Sequence, residues 1–516
     1  MSKKKKPHRL NENFLRRNKL LLQFLFVYII LSLLLFDPKL STGGDNAVYI
    51  ILAESIISGK GYKDIYLSEE PPHTQYPPGF PVLLTLPILL FGQSVIVLKF
   101  FIFLNGVGAV FFVFKIGEHL FKRRITIVMS FILSISIFIV YNHWILSEMP
   151  FLCFSLGALY FLMYAQEHGK FFYYFSFIFA MGSFFIRTAG ISLILAIALF
   201  LLLKKQYKYF AIFLILFFSI FIPWQMRNAG IPGRVSYFDQ LMAKNPYQLE
   251  LGRASFFELL ERAGDNFITY IFAVHPLSLF PLFKGTGPIP IVIIGAIFTP
   301  LIILCFVRRI RNLGIIELYF IITWIILLAW PRVWSSERFL LPILPLCIFY
   351  TYSSLFWLGK KFKLKHFIYV VTGLFVFLNL LYVIPQIEDA LKNNCAYLRG
   401  DRYAGYKPDW RAYFGIIDLL KENVPEDKII LARKPEFVYL LSKCKSFIYP
   451  FTTDHDKVRE AIKQSDYIIV DNLSQITQTE RFLLPVLQEE PDNYILAGGA
   501  TERGFYVLKV KNKGEF

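Results

Sequence analysis

Long apolar runs separated by polar segments fill the first three quarters of the chain. About 20 consecutive apolar residues, wound as a helix, cross the hydrocarbon core of a bilayer. About eleven runs approach this length, and they predict spans at residues 20–36, 94–114, 125–141, 149–165, 171–186, 188–203, 208–224, 287–307, 313–331, 339–358 and 366–384. The pattern therefore predicts an all-α polytopic membrane domain over residues 20–384.

The charges of the intervening segments predict the orientation of these spans. Lys and Arg cluster in residues 1–19 and again at 122–124, 204–205, 308–311 and 360–365. An excess of Lys and Arg marks cytoplasmic loops of membrane proteins, and with eleven spans every one of these clusters falls on the same side. We therefore expect a cytoplasmic N-terminus at residues 1–19 and two long outer loops at 37–78 and 225–285, which are functional candidates because of their length.

The segment after the last span has a different pattern. Strand-like runs at Lys428–Arg433, Ser446–Pro450, Asp466–Asp471, Asn493–Ala497 and Phe505–Val510 alternate with helical patterns such as Asp409–Glu422 and Asp454–Gln464. This predicts a small extracytoplasmic α/β domain over residues 385–516. Cys395 and Cys444 both fall in it, and an oxidising compartment permits a disulfide there, but the sequence does not fix the distance between them.

The composition excludes a soluble protein, and the high net positive charge raises the question of a nucleic-acid partner. Hydrophobic residues make up 55% of the chain, aromatic residues 18%, and the mean hydropathy is +0.50. A formal net charge of +18 would also suit a nucleic-acid partner. The basic residues lie beside apolar runs, however, where membrane orientation and anionic lipids account for them. We therefore expect membrane lipids as partners and no nucleic acid.

Asp45 is the first candidate site residue, because it opens a short amphipathic helix in the first outer loop. Gly43 and Gly44 precede it, and the helical pattern ends at Gly59. Two roles are open and compatible. The carboxylate accepts backbone N–H groups at the helix start, or it takes a proton from an acceptor hydroxyl at the membrane surface.

Two further outer segments carry polar groups next to prolines. Residues 71–79 form a stiff turn that leads into the next apolar run, and His73 and Tyr76 either serve this turn or line a substrate groove. Glu148 precedes Met149-Pro150 at the outer end of a predicted span, where an acid is costly without a partner. It either begins the helix, or positions the acceptor, binds a divalent cation or holds a sugar hydroxyl of the donor.

Several cations also fall on the outer face, where the orientation rule does not predict them. Arginine presents a planar fork that suits phosphate oxygens, and lysine offers a point charge. Each of these residues alone is typical of a headgroup anchor, whereas together with the outer acids they favour a site for an anionic lipid: Arg187, Arg227, Lys284, Arg332 and Arg338.

The order of these motifs resembles the GT-C class of integral-membrane glycosyltransferases, of the protein O-mannosyltransferase and aminoarabinose lipid A transferase type (glycosyltransferase family 39). The resemblance covers about 385 residues. It rests on Gly44-Asp45, on Tyr76-Pro77-Pro78-Gly79, on Leu146 to Pro150, on Arg187-Thr188-Ala189-Gly190, on Pro223-Trp224 with Arg227-Asn228, and on Glu337 to Pro342 with Pro345. Some family members carry Asp-Glu where this chain has Asp45-Asn46, which leaves metal use open.

The resemblance implies transfer of a sugar from a polyprenyl-phosphate carrier to a lipid, glycan or protein hydroxyl on the outer face, usually with inversion, and Asp45 aligns with the catalytic base. Arg227, Lys284 and Arg338 would hold the phosphate. Glu148, the second candidate catalytic acid, and Arg187 would shape the acceptor side or support Asp45. The absence of a recognisable eukaryotic targeting signal favours a bacterial inner membrane. A transporter or lipid flippase is the alternative, and a scaffold with a partner-binding outer domain is a weaker one. A divalent metal stays an open cofactor.

Overall fold

The computed structural model describes residues 9–232, 237–247, 251–364, 366–474 and 477–511. The lysines at positions 3–6, Lys365, and parts of the outer loop at 225–285 therefore lie outside the described residues. The helices are α1 Arg9–Leu34, α2 Asp45–Ile57, α3 Gly79–Phe91, α4 Val95–Leu120, α5 Arg123–Ser134, α6 Ile137–Val140, α7 Glu148–His168, α8 Phe172–Ile186, α9 Ile191–Leu203, α10 Tyr207–Ala229, α11 Tyr237–Met242, α12 Phe256–Thr269, α13 His275–Leu279, α14 Pro288–Arg309, α15 Ile315–Ala329, α16 Glu337–Leu340, α17 Leu344–Lys361, α18 Phe367–Leu398, α19 Pro408–Asn423, α20 Pro435–Ser442, α21 His455–Lys463 and α22 Leu484–Glu489.

The chain forms two compact units, which we describe separately. Unit 1 contains Met1–Phe36, Thr74–Phe80 and Lys99–Leu391. Unit 2 contains Asp37–His73, Pro81–Leu98 and Lys392–Phe516. The sequence-based division at residues 19 and 384 stays a prediction.

Apolar helices coincide with the predicted spans. Among the described residues, five helices are long and apolar enough to cross a membrane, or six if the pair Ile125–Ser134 and Ile137–His143, bent by 48°, forms one span. Shorter apolar helices occupy other predicted spans, and α3 is an apolar helix that lies outside the eleven predicted spans. A largely helical membrane protein is therefore confirmed, while the number of spans stays a prediction.

Helices α7 and α8 form an antiparallel hairpin in unit 1 because small residues let them approach closely. A Cβ at Gly157 on α7 would lie 2.4 Å from the Phe179 ring, and one at Gly182 on α8 would lie 2.5 Å from the Phe154 ring. Close approach through glycine is a usual means of packing membrane helices. The hairpin brings the first residue of α7 to the same end as the last residue of α8.

Unit 2 contains one five-stranded sheet, in the order β2-β1-β3-β5-β4. Its strands are β1 Ile429–Leu431, β2 Lys445–Phe447, β3 Tyr467–Val470, β4 Tyr494–Ala500 and β5 Phe505–Val510, and each coincides with a predicted strand. Strand β1 runs parallel to β2 and β3, whereas β5 is antiparallel to β3 and β4. Helices α20 and α21 connect the parallel strands, as such crossovers require.

The strands bury apolar side chains, and a buried ion pair lies at the carboxyl ends of two of them. Ile468 and Val470 are buried together with Val458 and Ile462 of α21. Arg433 and Asp471 follow β1 and β3, so the carboxyl ends of adjacent parallel strands bring them together. Their side chains are 2% and 0% exposed, and Nε of Arg433 lies 3.0 Å from Oδ1 of Asp471.

The two cysteines of the predicted outer domain are free. Cys395 is exposed at the end of α18, and Cys444 is buried just before β2. The disulfide that the sequence left open is therefore not formed.

Candidate functional site

Glu148, Arg187 and Arg338 meet in unit 1. Glu148 is the first residue of α7 and Arg187 follows the last residue of α8, so the hairpin sets them side by side. Nη1 of Arg187 lies 2.5 Å from Oε1 of Glu148, and Nε of Arg338 lies 2.6 Å from the same oxygen. The carboxylate is 2% exposed, while the two arginine side chains are 14% and 32% exposed. We call these three residues the ionic triad.

The ionic triad carries more positive than negative charge. Both arginines donate to Oε1, whereas Oε2 of Glu148 is buried and has no hydrogen-bond partner among the described residues. The guanidinium of Arg187 also lies 5.5 Å from the centre of the Phe339 ring, a cation–π contact. One acid and two arginines leave a surplus of one positive charge, which favours an anionic ligand.

A small cavity adjoins the triad. Arg187, Arg338, Phe151, Trp330 and Phe339 are among its lining residues, and its volume is about 20 Å³. This volume holds about one water molecule. The cavity is therefore too small to hold a phosphate group.

Lys284 and Arg227 make other contacts in unit 1. Nζ of Lys284 lies 3.1 Å from Oε1 of Glu337, the residue just before Arg338, and both partners lie near the surface. Arg227 donates from Nη1 to Oδ1 of Asn228 at 2.6 Å, and its guanidinium lies 5.0 Å from the Trp224 ring. Lys284 thus contacts the residue next to Arg338 of the triad. The two contacts of Arg227 are to residues of its own helix, α10.

Tyr76 and His73, the two groove candidates, lie in different units. Tyr76 belongs to unit 1 and is half-buried. His73 belongs to unit 2, where its ring is buried, its Nδ1 lies 2.8 Å from Oδ1 of Asp64, and its edge meets the Tyr62 ring. These contacts are compatible with a structural role for His73, and its part in substrate binding stays a prediction.

Asp45 lies in unit 2 as the first residue of α2, and Gly44 rather than Asp45 occupies the cap position. Gly44 has a φ of +90°, a conformation that favours glycine. Its carbonyl accepts the N–H groups of Ala47 and Val48 at 2.9 and 3.2 Å. A carboxylate in the first turn of a helix is stabilised by the unpaired N–H groups there. Asp45 itself is half-buried in the first turn of the helix.

Glu436 of α20 is a second acid at the start of α2 that sequence reasoning missed. A Cβ on Gly44 would lie 2.7 Å from Oε1 of Glu436. Burial raises the pKa of the Glu436 carboxyl, and the charge of Asp45 raises that pKa further, whereas Lys434 lowers it. A carboxyl group whose pKa is raised by burial beside a second acid is a usual component of acid–base sites. The sequence contained no signal for this pair, because the two residues lie at opposite ends of the chain.

No cluster of three or more His, Cys, Asp or Glu side chains suited to a metal ion occurs within the described ranges. Divalent cations take oxygen ligands, and Mg²⁺ is often held by only one or two carboxylates together with waters and phosphates of the substrate.

The comparisons with known proteins agree with this architecture. A family model described as dolichyl-phosphate-mannose-protein mannosyltransferase matches residues 75–226, a segment that contains Glu148 and Arg187. No curated protein matches the chain.

Two solved structures are similar over nearly the whole chain. ArnT from Cupriavidus metallidurans in the apo state gives a TM-score of 0.56 at 12% identity, covering 96% of this chain and 98% of ArnT; it was also solved bound to undecaprenyl phosphate. An oligosaccharyltransferase from Archaeoglobus fulgidus, tethered to an acceptor peptide, gives 0.57 at 13% identity, covering 96% of this chain and 74% of that one. The chain therefore has the fold of the GT-C glycosyltransferases, and the resemblance seen in its sequence is confirmed.

Proposed function

We propose that this chain is a membrane glycosyltransferase that moves a sugar from a polyprenyl-phosphate carrier to an acceptor hydroxyl on the outer face of the membrane. The observation that carries the proposal is the fold, which matches ArnT over 96% of this chain and 98% of that one, with the outer α/β unit included. ArnT binds undecaprenyl phosphate in one of its structures, which supports a carrier of that chemistry for this chain.

The proposed reaction assigns a role to each candidate residue. The acceptor oxygen forms a bond to the anomeric carbon of the sugar, and the bond from that carbon to the phosphate oxygen breaks. The phosphate leaves with the electron pair as an anion, so it requires cations. Arg338 and Lys284 are the proposed phosphate ligands, with Arg227 as a further one. Asp45 is the proposed base that receives the hydroxyl proton.

The remaining candidates serve orientation. Glu148 holds Arg187 and Arg338 in place through the 2.5 and 2.6 Å contacts, as carboxylates do for the groups that bind a ligand. Arg187 and Tyr76 are proposed to shape the acceptor side. We also propose eleven spans, a bacterial inner membrane, a cytoplasmic N-terminus and an outer C-terminal domain, on the charge pattern of the loops.

A transporter is less well supported than a transferase. Glu148, Arg187 and Arg338 lie at the ends of apolar helices or in the loop beside them. Transport paths usually carry their ionisable groups at mid-membrane depth, where helices are broken. The placement favours chemistry at the membrane surface.

The test is transfer of radiolabelled sugar from a panel of polyprenyl-phosphate sugars to membrane acceptors by the purified full-length chain. Asp45→Asn keeps the size of the side chain and removes the base, so we expect transfer to fall at least 100-fold. Glu54→Gln is the matched control. Glu54 is another acid of α2 and pairs with Lys443, so this variant should transfer sugar at nearly the normal rate.

Each outcome has a distinct meaning. Loss of transfer in a folded Asp45→Asn protein with normal donor binding supports the base. Equal transfer by wild type and Asp45→Asn refutes the base but keeps the transferase. No transfer from any carrier by the folded wild-type chain, combined with carrier movement across vesicle membranes, would support the transporter instead.

A further inference from the structure

A cavity of about 490 Å³ lies within unit 2. Its walls come from the first outer loop, the first turn of α4, the segment after α18, and helices α19 and α20. Cavities of 300–1,000 Å³ are the usual size for binding small molecules. The ionic triad and Asp45 do not line it, so it is separate from the proposed transfer residues.

The lining is apolar and aromatic on most sides. Ile96 and Leu441 supply aliphatic surface, and Tyr397, Tyr403 and Phe414 supply rings. Tyr403 stacks on Phe414 with ring centres 5.3 Å apart, which fixes this wall. A surface of this kind favours a ligand with a substantial apolar part.

Two cations also line the cavity, and they differ in how far they are neutralised. Nζ of Lys443 lies 2.8 Å from each carboxylate oxygen of Glu54, so Glu54 neutralises the charge of Lys443. Arg402 has its nearest carboxylate contact to Asp418 at 3.9 Å, and its side chain is 64% exposed. Arg402 is therefore the cation that is available to an anionic group.

The helices beside the cavity set its depth in the membrane. Helix α3 has 13 residues, a length of about 20 Å, and the charge pattern puts both of its ends on the outer face, because α4 then leads to the basic cluster at residues 122–124. An apolar helix of this length, with both ends on one side, is typical of an interfacial or re-entrant segment. Its Leu89, Leu90 and Phe91 are well exposed. With this orientation, we expect the cavity wall at residues 93–96, which follows α3 directly, at the level of the lipid headgroups.

We infer that this cavity binds a membrane lipid with an anionic headgroup, with the headgroup at Arg402 and the upper hydrocarbon chain beside Ile96 and Leu441. An uncharged glycan would stack on the tyrosines, but it would not use the aliphatic wall and would bring no negative charge to Arg402. The inference uses the predicted orientation of α4, and it goes beyond the proposed transfer reaction without requiring it.

The test is lipid retention by the full chain in nanodiscs of equal parts phosphatidylglycerol and phosphatidylcholine, measured by native mass spectrometry after release. We expect wild type to retain phosphatidylglycerol in preference. Arg402→Gln should reduce this preference about fivefold, the effect of one cation at an anionic surface. Arg402→Lys should restore it. The neighbouring exposed Arg399→Gln is the charge control and should change nothing.

A second pair of variants tests the volume of the cavity. Leu441→Trp fills the cavity and should abolish retention, whereas Ile448→Trp, at an exposed position of the same unit that does not line the cavity, should leave it intact. Equal retention of both lipids by wild type would overturn the inference, as would unchanged retention in both Arg402→Gln and Leu441→Trp. Binding of maltoheptaose that Leu441→Trp abolishes would overturn it in favour of a glycan. None of these readouts depends on sugar transfer, so the proposed function stands or falls separately.

Discussion

The ionic triad allows a direct test of how buried charges contribute to the free energy of unfolding, because one buried carboxylate is paired with two arginines. We consider replacing Arg187, Arg338 or both by methionine, which keeps most of the apolar stem. Each single replacement removes one charge-assisted hydrogen bond to Oε1 of Glu148. Such a bond contributes about 1.5–3 kcal/mol, so each single variant should lose that much free energy of unfolding.

The double variant should lose more than the sum of the singles. Its second replacement leaves a carboxylate that is 2% exposed without either arginine, and an uncompensated buried charge costs about 3–5 kcal/mol. The excess over additivity is therefore expected to be about 1.5–2 kcal/mol, the difference between these two steps. Adding Glu148→Gln to the double variant removes the buried charge and should regain most of the second step.

The assay is reversible unfolding of the purified chain in mixed micelles, followed by tryptophan fluorescence. Arg253→Met is the matched control, since Arg253 pairs with Asp239 at the surface and its side chain is 68% exposed; it should unfold almost as wild type does. Additivity of the two single effects within about 0.5 kcal/mol, together with no gain from Glu148→Gln, would refute the reasoning.

Two further predictions concern unit 2. Burial raises the pKa of Glu436, so the folded chain holds this proton while the unfolded chain releases it, and stability falls as pH rises through the ordinary carboxyl range. Glu436→Gln should therefore raise the thermal midpoint of the full chain at neutral pH and change it little near pH 4; an equal shift at both pH values would contradict this. Asp471→Asn leaves Arg433, which is 2% exposed, without its carboxylate. The free energy of unfolding in denaturant should therefore fall by about 3–5 kcal/mol. Asp427→Asn, which breaks an exposed pair with Lys428, is the control and should have little effect. Similar losses in both variants would show that burial of the Arg433 pair is not the cause.

Much of the secondary structure followed from local patterns. Apolar run length identified α1, α4 and the long apolar helices after it, and alternation identified the five strands of the sheet. It did not identify α11, α12 and α13, which lie in the segment predicted as the second outer loop. Helix α3 was not among the predicted spans because its 13 residues, which include Pro87, are fewer than the roughly 20 that cross a bilayer.

The candidate site was predictable in its residue types and less so in its contacts. The sequence pointed to Glu148, Arg187 and Arg338 as outer charges, but each alone was also typical of a helix start or a headgroup anchor. The hairpin of α7 and α8 decided that Glu148 and Arg187 meet, since glycine contacts fix the approach of the two helices.

The sequence by itself determined the class of this protein, because run length, charge asymmetry and strand alternation are local properties that short stretches of chain display on their own. Only the tertiary structure decided which charges neutralise one another. It placed Glu436 against Gly44 at the start of α2, joined Arg433 to Asp471 at the ends of adjacent parallel strands, and formed the cavity at Arg402. Each of these depends on residues far apart in the chain, whose distance is set by packing and leaves no trace in the spacing of the sequence.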